Sequence, residues 1–295
     1  MAEEEGRRLP QGVINLLRDL AIAFLLVAVV MAALFAFARV WPPMVVVESS
    51  SMQHSNSESA LGVIDTGDIV LVQNAPRPQD ITTWVEGKVD GHTTYGDYGD
   101  VIIFKRAGRE AETPVIHRAM MFIIWNDSAM GFDIPSLLAL DPEFWDSNQA
   151  EPMGLSTGDH ITLKDVGFKK LAVRFNMGDF VGRVPSPEIC PRPCGGYITM
   201  GDNNAPTLTT DDRFVRQELV LGRARGELPW FGLLKLVLGG DFGWGDSRAP
   251  ANSWTSLTIA LVLLIVAPLA LDVIVSRLVS RKSRGGSNPG DGEPK

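Results

Sequence analysis

The sequence predicts a mainly β domain outside the cytoplasm, flanked by two transmembrane helices. Three observations predict it: a long charge-free run near each end of the chain, cationic residues on the outer side of both runs, and short β-branched segments between them. Residues 20–38 are 19 residues without a charge, the length a helix needs to cross a hydrocarbon core of about 30 Å. Residues 254–271 are 18 more, and 273–275 extend that run past Asp272. Pro268 lies inside the second run, which lipid-embedded helices tolerate better than soluble ones. Both runs are apolar all round, whereas a helix lying on a soluble core shows one apolar stripe.

The first run is longer than the apolar core of a cleaved leader, and Arg39, Trp41 and Pro42 follow it in place of a small-residue cleavage pattern. It reads as a retained anchor. Arg7, Arg8 and Arg18 precede it, against Arg39 just after; Arg277, Arg281, Lys282 and Arg284 follow the second run, against Arg248 before it. Cations accumulate on the cytoplasmic side, so both termini are expected there. The expected organisation is a cytoplasmic segment 1–19, a first span 20–41, an external domain 42–252, a second span 253–275, and a basic, disordered tail 276–295.

Residues 42–252 hold 28 acidic and 18 basic side chains, a net of −10. So acidic a body speaks against nucleic-acid binding. The two cysteines, Cys190 and Cys194, are free to form a disulfide outside the cell or to remain thiols. A zinc pair needs two further ligands nearby, and none of the four histidines stands close in sequence. Neither a metal nor a cofactor is expected.

Strands are predicted at 44–47, 68–73, 101–105, 115–125, 161–164, 197–200 and 219–225, several rich in Val and Ile and bounded by Gly-Asp pairs. Two stretches read as insertions: 75–98, polar and punctuated by Gly and Pro, and 126–193, with a short helix near 134–140. Residues 229–238 are apolar but too short to span a bilayer, and fit a position in the membrane interface.

Three segments carry candidate chemistry. Residues 45–52, Val-Val-Val-Glu-Ser-Ser-Ser-Met, run out of the membrane into three serines. His117 sits in the β-branched run Pro-Val-Ile-His-Arg, and Gly201-Asp202-Asn203-Asn204 follows a strand, with Asp211-Asp212-Arg213 beyond. A serine hydroxyl needs a nearby base to become a nucleophile, and an acid commonly orients that base. Taken singly, each segment also has a plain structural reading: a solvated serine loop, a hydrogen-bonded histidine, an Asx turn.

In this order, behind a membrane anchor, the segments resemble the boxes of the signal peptidase I family in its archaeal and endoplasmic-reticulum branch. The 99–105 segment Gly-Asp-Val-Ile-Ile-Phe-Lys, His117-Arg118-Ala119, and the 67–70 and 220–226 segments fit the same pattern. The resemblance implies a signal-peptidase-like β-rich catalytic domain and a serine endopeptidase that removes signal peptides from exported preproteins. Ser51 would be the nucleophile, His117 the general base and Asp212 the orienting acid. Asp202 and Asp211 would be supporting or alternative acids, and Ser49 with the Ser51 N–H would form the oxyanion hole. His117 falls where the bacterial branch carries lysine, and Lys105, the rival for a Ser–Lys dyad, reads as structural. A multi-pass plasma-membrane location, the lipid bilayer and a neighbouring protein-export channel are implied as well. Ser50 replaces the usual Gly, Gln53-His54 replace a residue plus Pro, and four extra residues separate Asn204 from the Asp pair. Two alternatives remain: a catalytically silent membrane-tethered binding or assembly module of the same fold, and a metal-dependent hydrolase using His117, Asp202 and Asp212.

Overall fold

A computed structural model describes residues 10–107, 109, 111–207 and 214–284. Helix α1, Gln11–Ala38, opens the described chain. It begins before the charge-free run, carrying an exposed Arg18–Asp19 pair on its first turns. It stops where Arg39 turns left-handed at φ 52° and donates its N–H to Phe35 O at 2.8 Å. At about 1.5 Å per residue its 28 residues measure about 42 Å. The last helix of the fold, Ala251–Arg284, runs through Pro268. Both helices are long and apolar enough to cross a membrane.

Between them lie strands β1 Met44–Val46, β2 Ile69–Gln73, helix α2 Trp84–Asp90, β3 Thr93–Thr94, β4 Asp97–Tyr98, β5 Val101–Phe104, β6 Val115–Asn126, β7 Gly131–Asp133, β8 Trp145–Ser147, β9 His160–Val166 and β10 Leu171–Asn176. Helix α3 Gly178–Val181, β11 Gly195–Met200, β12 Val220–Leu228, helix α4 Gly232–Leu238 and α5, the C-terminal Ala251–Arg284 helix, complete the order. The main antiparallel sheet runs β1-β2-β12-β5-β6-β11, with β7 on the far end of β6. Strand β5 shows why it forms: Val101 and Ile103 enter one apolar cluster with Val47, Met52 and Val70, while Ile102 and Phe104 enter another with Ala119 and Tyr197. Successive side chains of a strand alternate faces, so this β-branched run is buried on both.

The 75–98 stretch is not merely a polar excursion. Thr83 caps α2 by accepting the Glu86 N–H while the Glu86 carboxylate takes the Thr83 N–H, and that helix sinks Trp84 and Val85 fully into the largest core cluster. The 126–193 stretch adds the three-stranded sheet β10-β9-β8, whose Ile161, Leu163, Val173 and Phe175 join the same cluster. The short helix expected near 134–140 is a 3₁₀ segment, Pro135–Ala139. Cys190 and Cys194 are joined in a disulfide. In the apolar 229–238 stretch, α4 buries Leu233 and Leu236 against Trp254 and Leu257 of α5, leaving Leu238 exposed. The tail from 285 lies outside the described residues.

Candidate active site

Beyond β1 the chain stays extended. Val47 N–H reaches Asp68 O at 2.9 Å, and Ser49 sits at φ −127°, ψ 158°. A single 3₁₀ turn, Ser50–Met52, follows, closed by Gln53 N–H to Ser50 O. Met52 is 1 % exposed, and burying such a side chain contributes about 2 kcal/mol. That anchor fixes which way the turn faces and leaves the Ser51 hydroxyl at the surface of the apolar cluster. Ser50 takes no positive φ, so the glycine it replaces is not needed here.

Strand β6 brings the candidate base. His117 lies opposite Ile102 of β5, 7 % exposed, its ring 6.4 Å from that of Phe104. Its Nε2 stands 3.1 Å from Ser51 Oγ, within the 2.6–3.2 Å reach expected of a base and its nucleophile. Ser49 Oγ lies 3.2 Å from Ser51 Oγ, so a second hydroxyl is present beside the first. Lys105 is three positions beyond Ile102, about 10 Å further along the sheet at 3.3 Å per residue. It is His117 that meets the serine.

The turn after β11 packs directly on the serine turn. A Cβ at Gly201 would lie 2.4 Å from Ser51 O, so only glycine fits there. Asn203 Nδ2 donates to Ser50 O at 3.0 Å. The 201–204 box therefore holds the backbone on which Ser51 rides.

Adjacent residues on β6 point to opposite faces. While His117 turns to Ser51, Arg118 turns to Asp202, donating from Nε to Oδ1 at 2.8 Å and from Nη2 to Oδ2 at 2.6 Å. Arg118 Nη1 also donates to the carbonyls of Thr94, Tyr98 and Gly99, clamping the 93–99 turn. Burial alone would raise the Asp202 carboxyl, but the Arg118 guanidinium, helped by His54, holds it below its ordinary value. Removing one partner of such a buried pair costs about 3–5 kcal/mol. Asp202 is thus committed to Arg118 and His54. Asp212, the expected orienting acid, and Asp211, its expected alternative, lie outside the described residues, between Thr207 and Phe214.

Sequence reading missed His54. Its Nε2 is 3.2 Å from Asp202 Oδ2, and its ring stacks on Phe168 with centroids 4.4 Å apart. The histidine in place of proline therefore links the serine turn, the 201–204 box and the 126–193 stretch. A titratable residue where a turn former was expected was the available signal.

A groove of about 390 Å³ opens at Ser51 and His117, its lining including Val46, Val47, Val115 and Ile116. Val46 ends β1, at one end of the sheet path, Val47 follows it, and Val115 and Ile116 open β6. Strand β11 ends at Met200, opposite Arg118, so residues 115–117 have β5 as strand partner on one side only in the described pairings. Among the described residues, no three His, Cys, Asp or Glu side chains converge as a metal cage. Compared with known proteins, the chain matches no family model, no curated protein and no solved structure.

Proposed function

We propose that the protein is a membrane-bound serine endopeptidase that removes N-terminal signal peptides from exported preproteins. The observation that carries this reading is the 3.1 Å approach of His117 Nε2 to Ser51 Oγ, within a groove open at two strand edges. The order of the sequence boxes, resembling the archaeal and endoplasmic-reticulum signal peptidases, supports it.

In this reading the preprotein lies extended in the groove and adds to a free strand edge, main chain to main chain. Val47 and Ile116 line the groove, and the family resemblance implies small side chains before the cut. Ser51 Oγ attacks the scissile carbonyl carbon as its proton passes to His117 Nε2. The developing oxyanion is met by the Ser51 N–H and the Ser49 hydroxyl, each donor worth about 3 kcal/mol. His117 then protonates the departing amine, and a water, deprotonated by the same ring, releases the acyl group from Ser51. Asp212, with Asp211 as alternative, holds the imidazole.

Both termini are cytoplasmic in this proposal, with the domain on the outer face of the plasma membrane beside the export channel. Ser51 follows Ala38 by 13 residues, at most about 43 Å of chain, so the site need not be far from the bilayer where a signal helix ends. The test is to incubate the detergent-solubilised protein with a signal-peptide-bearing precursor and map the new N-terminus. A single cut after small residues at the end of the signal helix supports the reading; an intact precursor, or cuts scattered through the mature region, overturns it.

A further inference from the structure

A second cavity, of about 530 Å³, lies where α1 meets the β domain. That volume falls within the range of about 300–1,000 Å³ usual for small-molecule sites. Its walls are of two kinds. Ala36 and Phe37 come from the last turn of α1, whereas Arg39, Arg77 and Arg223 bring three guanidinium groups against one carboxylate, Asp80.

The junction is built, not incidental. Ala38 is buried, and its carbonyl accepts the Asn74 N–H at 2.8 Å, tying the helix end to the chain just after β2. Asp80 is already engaged: Arg77 donates to its Oδ1 from Nη2 at 2.8 Å and to its Oδ2 from Nε. Arg77 holds that carboxyl below its ordinary value. Arg223 is braced by Gln73 Oε1, by the Asp80 carbonyl and by the buried Asp100 carboxylate at 3.5 Å, yet its Nε is buried without a hydrogen-bond partner. Arg39 is exposed, and no carboxylate of the described residues pairs with it. With Arg77 on Asp80 and Arg223 on Asp100, Arg39 is the lining guanidinium left without a carboxylate among the described residues, and guanidinium is the group best matched to phosphate oxygens.

Depth identifies the source of the phosphate. The charge-free run 20–38 spans the hydrocarbon core at about 1.5 Å per residue, so Arg39, the next residue, enters the headgroup layer. The Ala36 and Phe37 wall continues the exposed apolar surface of α1, along which an acyl chain descends.

We propose that this cavity binds the phosphate headgroup of an anionic lipid of the outer leaflet, with Arg39, Arg77 and Arg223 as its cationic contacts. The site rests on α1 crossing a bilayer and is independent of the peptidase chemistry at Ser51.

The full chain in neutral detergent is titrated with phosphatidylglycerol, phosphatidylcholine or inorganic phosphate while its thermal unfolding midpoint is read. Phosphatidylglycerol is expected to raise the midpoint, and the other two to leave it unchanged. The double substitution Arg39→Gln/Arg77→Gln is expected to weaken the apparent affinity at least about tenfold, since two charge-assisted contacts are lost. Arg39→Gln alone, which breaks no ion pair of the described residues, is expected to weaken it in the same direction, and guards against a folding defect from Arg77. The control Arg109→Gln/Arg174→Gln removes equal charge from exposed positions away from the cavity and is expected to behave as the parent. The proposal is overturned by equal binding in parent and Arg39→Gln, by a control that weakens binding as much, or by a response to inorganic phosphate or phosphatidylcholine that matches phosphatidylglycerol.

Discussion

Adding one methyl group at Gly201 should disable the site without touching a reacting atom. Its Cβ would lie 2.4 Å from Ser51 O, 2.9 Å from Ser51 C and 3.0 Å from Ser51 Cβ. Ordinary contact begins near 3.4 Å, so one backbone must retreat by about 1 Å, and no rotamer relieves a clash with main chain. Ser51 Oγ is 3.1 Å from His117 Nε2, already near the limit of hydrogen-bond reach, so a retreat of that size breaks the contact. A misplacement of about 1 Å at a reacting centre costs roughly a hundredfold in rate, whereas overpacking costs about 1–3 kcal/mol of stability. Steady-state cleavage of a signal-peptide-bearing precursor by Gly201→Ala should therefore fall about a hundredfold in kcat/KM while the protein remains folded. Gly158→Ala, where an added Cβ meets nothing within 4 Å, is the control and should cleave normally. Near-normal cleavage by Gly201→Ala would refute the claim that the 201–204 box holds the serine turn in register.

His117→Ala should lose at least about a hundredfold in rate, and His117→Lys should not restore it, because an ordinary lysine ammonium stays protonated at neutral pH unless it is desolvated; near-normal turnover in either variant removes His117 from the mechanism. Asp212→Asn should keep the fold and lose orders of magnitude in turnover through the wrong imidazole tautomer, with Asp211→Asn mild; the reverse order would make Asp211 the orienting acid. Burial pushes the Asp68 carboxyl up to about 7, against the N–H groups of Trp230 and Asp65 that it accepts. A raised carboxyl stabilises the fold fully below its unfolded value near 3.8 and loses that contribution as pH rises through about 7, an effect on the order of 4 kcal/mol. Asp68→Asn should therefore gain stability relative to the parent as pH rises from 4 to 8 in denaturant titrations, and a pH-independent difference would contradict the assignment.

Much of the frame was legible because its signals are local. The β-branched runs between Gly-Asp turns become β1, β2, β5, β6, β9, β11 and β12, within a few residues at their ends. The two charge-free runs become α1 and α5. Ser51 and His117, 66 positions apart in the chain, do meet. What stayed hidden depends on partners far away in sequence. Seven residues of α2 are too few to show a helical period, so the burial of Trp84 and Val85 had no local sign. Arg118 is held largely by backbone carbonyls, which any residue supplies and no motif records. Asp202 stands next to the serine turn through Gly201, yet β6 sends Arg118, not His117, to its side of the strand. The pairing of Cys190 with Cys194 depends on the path of the intervening loop, so spacing alone left a disulfide and two thiols equally open.

Whether Ser51 is the nucleophile of a metal-independent peptidase is decided by comparing Ser51→Ala with the parent on one precursor, with and without a chelator. The parent should cut one peptide bond and be indifferent to the chelator, while Ser51→Ala should lose at least about 10⁴-fold in rate. Cleavage that survives in Ser51→Ala, or that disappears from the parent when chelator is added, would contradict that assignment.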